Sequence, residues 1–210
     1  MNSRTVVVCL LLIGACRSPQ PAAMAQSRSA SEKYDGAWWQ AASPSERTGF
    51  IDGFYECYRG DVGGQAFFRS TTMEAHRDLV TAYYQGSATH LGESVVSAIS
   101  EVRDTSLPMP IRVDRHPQGH SELDGTEWRG MVLDGKGLGF VRGYVACLQH
   151  YLPSQGGTFT GATVDYERWI ESWYGKDGDL SAPALEREYT PIAVVLLRVS
   201  LGDTLGIHSQ

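Results

Sequence analysis

From residue 43 onward the apolar positions fall three and four apart, the period of an amphipathic helix, in segments separated by polar and glycine-rich stretches. Phe50, Ile51, Phe54, Cys57 and Tyr58 form one stripe. It is opened by Ser43-Pro44-Ser45-Glu46, a capping-box sequence with proline at the first helical position, where its missing amide hydrogen costs nothing. A second segment starts near Thr71-Thr72-Met73-Glu74, carries the stripe His76, Leu79, Val80 and Tyr83, and stops at Gly86, read as a left-handed cap. A third runs from about Gly92 to Val102. The pattern predicts three helices, preceded by a short helical turn at Asp35-Gly36-Ala37-Trp38-Trp39.

The series then repeats. Gly49-Phe50-Ile51-Asp52-Gly53-Phe54-Tyr55-Glu56-Cys57-Tyr58 recurs as Gly139-Phe140-Val141-Arg142-Gly143-Tyr144-Val145-Ala146-Cys147-Leu148, an offset of 90. Asp35-Gly36 with its tryptophans matches Asp124-Gly125-Thr126-Glu127-Trp128, and Leu79-Val80 with Tyr83-Tyr84 matches Trp169-Ile170 with Trp173-Tyr174. Val95 to Ile99 aligns with Ile192 to Leu196 after an insertion in the second copy. The second set of helices is expected after Asp134, with the stripe Phe140, Val141, Tyr144, Cys147 and Leu148. The next runs from near Thr163 to Gly175, with Tyr166, Trp169, Ile170 and Trp173, and the last from about Thr190 to Leu201. The expected fold is all-α: two tandem three-helix units related by a pseudo-twofold axis and packed into one domain. Residues 32–103 and 122–210 are the two units, and 104–121, with Pro108, Pro110 and Pro117, is an extended linker. Gly53 and Gly143 sit inside helices, where glycine costs about 1 kcal/mol against alanine, so close approach of another backbone is expected there.

The chain opens with Met1-Asn2-Ser3-Arg4 and an apolar run from Val6 to Ile13, too short to span a bilayer, and reads as a signal peptide. Ile13-Gly14-Ala15-Cys16 has the form of a bacterial lipobox and makes Cys16 the lipidated residue; Ala23-Met24-Ala25 is a competing cleavage site that would release a soluble protein. Residues 1–31 are then the signal peptide followed by a flexible tether rich in Ser, Pro, Ala and Gln. With Cys9 and Cys16 in the export signal, Cys57 and Cys147 are left for an oxidising compartment. They stand at equivalent positions. A bridge between them would place the axis one turn beyond the two glycines; the other reading is a pair of buried thiols acting as small apolar residues.

At 42% hydrophobic and 20% charged the chain is an ordinary globular sequence, and its formal charge of -6 argues against nucleic acid as a partner. The metal-like spacing His116-Pro117-Gln118-Gly119-His120, with Asp114, Glu122 and Asp124 nearby, carries an alternative reading as a metal-dependent hydrolase centred on His116 and His120. Pro117 and Gly119 oppose the helix on which two histidines four apart would share a face. His76 replaces Tyr166 on a core-facing stripe and reads as a packed histidine. Asp35 and Asp124 read as caps. The glycine-rich stretches at residues 60–64 and 154–157 lack a following Lys-Ser/Thr and read as turns. No cofactor motif is present.

Each unit thus shows Gly-Phe-x-x-Gly-Phe/Tyr in one helix, a second helix ending in two aromatics, and a third of small and aliphatic residues. That order resembles the Rap1a/Tai type of bacterial exported proteins, small helical immunity proteins that neutralise peptidoglycan amidase effectors of type VI secretion, here as a tandem duplication. The shared positions are structural, so the resemblance assigns no site residue. It implies a non-catalytic envelope protein that binds a secreted or periplasmic protein and meets the membrane only through an N-terminal lipid; a purely structural envelope lipoprotein is the remaining reading.

Overall fold

The computed structural model of the chain describes residues 33–63, 72–102, 123–175 and 187–201, and within them the protein is all-α. In chain order the helices are α1 (Gly36–Ala41), α2 (Pro44–Gly60), α3 (Met73–Gly86), a 3-10 turn (Ala88–Gly92) and α4 (Val95–Val102). They continue with α5 (Gly125–Leu133), α6 (Gly137–Tyr151), the single turn α7 (Pro153–Gly156), α8 (Thr163–Tyr174) and α9 (Ile192–Ser200). No described helix is long and apolar enough to cross a membrane. The expected signal peptide and tether (1–31) and the linker at 104–121 lie outside the described residues.

The Asp-Gly motifs open the two halves in the same manner. Asp35 caps α1 by accepting from the Ala37 and Trp38 amides at 3.0 and 3.1 Å, and Asp124 caps α5 by accepting from Thr126 at 2.9 Å. The glycine behind each cap makes room for a tyrosine ring. A Cβ on Gly36 would stand 2.5 Å from Tyr84 Cδ1, and one on Gly125 would stand 2.5 Å from Tyr174 Cδ1. Tyr84 donates its hydroxyl to the Glu93 carbonyl at 3.1 Å, and Tyr174 to that of Thr190 at 2.7 Å. Val95 N–H then reaches Tyr34 O at 2.9 Å, and Ile192 N–H reaches Leu123 O at 2.8 Å, tying the start of α4 and of α9 back to the entry of each half. Trp39 and Trp128 are buried edge-on to Phe50 and Phe140.

These contacts correct the expected stripes of the second helices. The buried residues of α3 are His76, Val80 and Tyr84, and those of α8 include Tyr166, Ile170 and Tyr174, each set four residues apart. Leu79 is 40% exposed, while Tyr83, Trp169 and Trp173 are only half-buried. The space opposite Gly36 and Gly125 selects the second aromatic of each pair, which periodicity alone does not. Helix ends differ as well. Gly175 has φ 75° and terminates α8 as expected, but Gly86 belongs to α3, and Ser87 in extended conformation ends that helix and starts the 3-10 turn. Gly135, at φ 69°, turns the chain between α5 and α6.

Helices α2 and α6 lie side by side at the centre and run in the same direction. A Cβ on Gly49 would fall 2.2 Å from the Lys136 carbonyl oxygen, and one on Gly53 would fall 2.0 Å from that of Phe140. Conversely, a Cβ on Gly139 would fall 2.0 Å from the Glu46 carbonyl oxygen, and one on Gly143 1.9 Å from that of Phe50. No side chain fits between these backbones, which is why four glycines occur inside two helices despite their cost. One turn further, Cys57 and Cys147 are joined as a disulfide with Cα atoms 6.2 Å apart, both fully buried. Phe50, Ile51, Phe54, Phe140, Val141 and Tyr144 are fully buried around this line, each contributing on the order of 1.5–3 kcal/mol by removal from water.

The expected capping box forms by half. Ser43 Oγ accepts from the Glu46 amide at 3.1 Å, but the Glu46 carboxylate takes the Arg142 guanidinium across the α2·α6 seam. Arg142 in turn lies 5.8 Å from the Trp38 ring centroid.

Candidate functional site

The last described helix, α9, differs on its outside from α4, the helix its sequence aligns with. Ile192, Val195 and Leu196 of α9 are buried, as are Val95, Ala98 and Ile99 of α4. One outward position differs: where the first half has Ser97 the second has Val194, and Leu201 stands exposed just beyond the helix, while Leu197, opposite Ser100, is half-buried against the core. Val194 is 37% and Leu201 72% exposed. Beside them Arg198 lies 5.7 Å from the Trp173 ring centroid, covering a half-buried indole with a cation.

The helix is held firmly from behind. Glu188, in the segment leading into it, accepts from Thr126 Oγ1 at 2.8 Å and from Arg129, so α5 grips the approach. Tyr174 and Leu123 hold the Thr190 carbonyl and the Ile192 amide, and Thr158 Oγ1 donates to Ser200 Oγ at 3.0 Å near the far end. Burial, followed by the nearby carboxylates of Asp124 and Glu188, raises the Tyr174 phenol and keeps it a hydrogen-bond donor. The helix thus presents Val194 and, at its C-terminal cap, Leu201 outward beside Arg198.

A second surface grouping lies between α3 and α4. Tyr83 donates to Glu93 Oε2 at 2.6 Å, and the His90 ring stacks on the Tyr83 ring at 4.1 Å. His90 Nδ1 is 2.8 Å from the Tyr83 carbonyl, which can only accept, so Nδ1 carries a hydrogen. The bond to Glu93 pushes Tyr83 up to about 12, far from neutral-pH acid–base work. The grouping pins the turn.

The residues singled out in the sequence fall as follows. Cys57 and Cys147 are bridged, and Asp35 and Asp124 are caps. His76 is completely buried on α3, and His150 is exposed and edge-on to Tyr151 at 4.6 Å. Residues 154–157 form and close α7, and Gly63, at φ 67°, lies just beyond α2. Gly53 and Gly143 meet backbone and open no ligand space. Cys16, Asp114, His116, His120, Glu122 and His208 lie outside the described residues; within those described, no three His, Cys, Asp or Glu side chains are grouped to hold a metal ion. Sequence reasoning passed over the exposed Val194, although aligning it with Ser97 would have found it. Comparison with protein-family models, curated proteins and solved structures finds no match to this chain.

Proposed function

We propose that this chain is an exported, non-catalytic binding protein of the bacterial cell envelope, of the immunity or inhibitor kind, which engages a secreted or periplasmic protein through the outer face of α9. Its two units, 32–103 and 122–210, are copies of one three-helix design paired about a local twofold axis running along α2 and α6. The duplication is supported by contacts that recur at matched positions: cap, glycine against tyrosine, tyrosine to carbonyl, and tryptophan against phenylalanine. Export is supported by the buried Cys57–Cys147 bridge, which needs an oxidising compartment, together with the lipobox at Cys16 and the tether behind it.

The observation that carries the binding reading is the exchange of Ser97 for the exposed Val194, with Leu201 exposed at the end of the same helix. Core packing accounts for Leu197 but not for Val194 and Leu201, and apolar exposure at those two positions favours a partner surface. A photo-crosslinking residue at position 194 or 201 of the full chain, expressed in the envelope of a native or related bacterium, should give a discrete crosslinked species, while the same residue at position 97 should give none. Equal labelling from all three positions, or from position 97 alone, overturns the assignment. Metal analysis of the purified chain is the second arm: stoichiometric zinc lost on His116→Ala would replace the binding reading with a hydrolase.

A further inference from the structure

The seam between α2 and α6 contains two kinds of position, and only one kind is the same in both helices. Glycine at 49 and 139, phenylalanine at 50 and 140, glycine at 53 and 143, and cysteine at 57 and 147 are identical. A contact made of these alone would join α2 to α6, α2 to the α2 of another chain, or α6 to another α6, with the same close backbones and the same disulfide. The flanking positions differ, and they differ in a complementary way. Glu46 corresponds to Lys136, and Asp52 to Arg142: acids on α2, bases on α6. Glu46 meets Arg142 with both side chains less than one-fifth exposed. Two α2 helices brought together by the same operation would set Glu46 against Asp52 twice, and two α6 helices would set Lys136 against Arg142 twice.

The other end of the seam repeats the logic without net charge. Tyr144 of α6 donates to Asp61 Oδ2, at the C-terminal cap of α2, at 2.6 Å, and burial together with that bond raises the phenol and keeps it protonated. The counterparts of Tyr144 and Asp61 are Phe54 and Tyr151, whose rings pack with centroids 6.3 Å apart. Pairing α2 with itself would set Phe54 against Asp61 twice, a carboxylate on an apolar ring with no donor.

We propose that these flanking residues are a recognition code that lets each half accept the other half of the chain and reject a copy of itself, so that Cys57 bonds Cys147 and not Cys57 of a second molecule. The inference rests on the duplication proposed above. The shared glycine-phenylalanine-cysteine line supplies affinity, and the acid–base and phenol–carboxylate pairs supply the difference between right and wrong partners.

The test uses the full chain with Cys9→Ser and Cys16→Ser, refolded oxidatively at low salt, with disulfides mapped by peptide mass. One variant, Glu46→Lys with Asp52→Lys, makes both seam helices basic; a second, Lys136→Glu with Arg142→Glu, makes both acidic. Refolded together, the two should give mixed disulfide-linked dimers exceeding either self-linked dimer by on the order of tenfold, an excess that falls as salt is raised. The fourfold exchange, carrying all four substitutions in one chain, should return to wild-type monomer with the 57–147 bridge. No excess of mixed over self-linked dimers, or a fourfold variant that remains dimeric, overturns the code. Should the doubly basic chain not fold, Glu46→Gln with Asp52→Asn serves: it should raise self-linked dimers above wild type, and an unchanged monomer yield counts against the proposal. Failure of the paired arrangement itself would read differently, as a wild-type monomer without the Cys57–Cys147 peptide and without disulfide-linked dimers, whereas failure of the code alone would give Cys57–Cys57 dimers.

Discussion

A single methyl group has opposite consequences at different glycines of this chain. At Gly53 and Gly143 an added Cβ would sit about as far from a carbonyl oxygen as a hydrogen does, 2.0 and 1.9 Å, and the obstacle is backbone of a neighbouring helix that cannot rotate away. Gly53→Ala or Gly143→Ala should cost about 3 kcal/mol or more by forcing α2 from α6. Gly130, within α5, has nothing within 4 Å of its Cβ position, so Gly130→Ala should add about 0.5–1 kcal/mol from helix propensity and reduced freedom of the unfolded chain. Urea denaturation of the three variants checks both signs. The two buried tryptophans differ in a comparable way: Trp39 Nε1 donates to Thr81 Oγ1 at 3.1 Å, while Trp128 Nε1 finds no acceptor among the described residues. Glu171 stands where Thr81 stands in the first half. Thr81→Val should therefore lose about 1 kcal/mol by leaving a buried donor unmet.

Among the elements, α6 begins without a side-chain cap of its own, and a residue of α8 takes the position: Glu167 accepts from the Leu138 amide. Its carboxyl is raised above the ordinary 4.5, first by burial and then by Glu171, against the pull of Arg142. Because the folded value lies above the unfolded one, the unfolded chain releases this proton first as pH rises. The group thus costs nothing in acid below the ordinary value and carries its full cost once pH has passed the folded value. Glu167→Gln, which keeps an oxygen for Leu138, should raise the melting temperature at pH 7 and leave it nearly unchanged near pH 4; a parallel gain at both pH values would show that charge is not the cause. Such inter-helix capping was invisible in the sequence, where only contacts within one helix can be read. The helices themselves, the matched cysteines, the Asp caps and the glycine contact were all legible, because each depends on spacing within one segment or on the repeat. The choice of Tyr84 over Tyr83 and of Tyr174 over Trp173, and the turn of Glu46 toward Arg142, depend on what the neighbouring segment leaves open, and adjacent aromatics or a capping-box glutamate look alike until that neighbour is placed.

For the molecule as a whole, the disulfide and the glycine contact secure the same seam by different physics. Close packing of backbone and apolar rings acts in the folded state. The bridge joins residues 90 apart and acts mainly by restricting the unfolded chain. Replacing both cysteines, Cys57→Ala with Cys147→Ala, should therefore lower stability by about 4–5 kcal/mol in the chain-entropy account while leaving helix content unchanged at low temperature, since no helix depends on the bond for its own hydrogen bonds. Circular dichroism before and during thermal unfolding separates the two effects: loss of helix at low temperature would mean that the seam is held by the bond alone. Access gives a further, independent reading. Both cysteines are fully buried, so a thiolate can attack only after α2 has parted from α6. Reduction by dithiothreitol in native buffer should be slow and should accelerate with urea in step with unfolding, whereas a rate independent of urea would place the sulfurs within reach of solvent and remove the packing argument for the whole centre of the molecule.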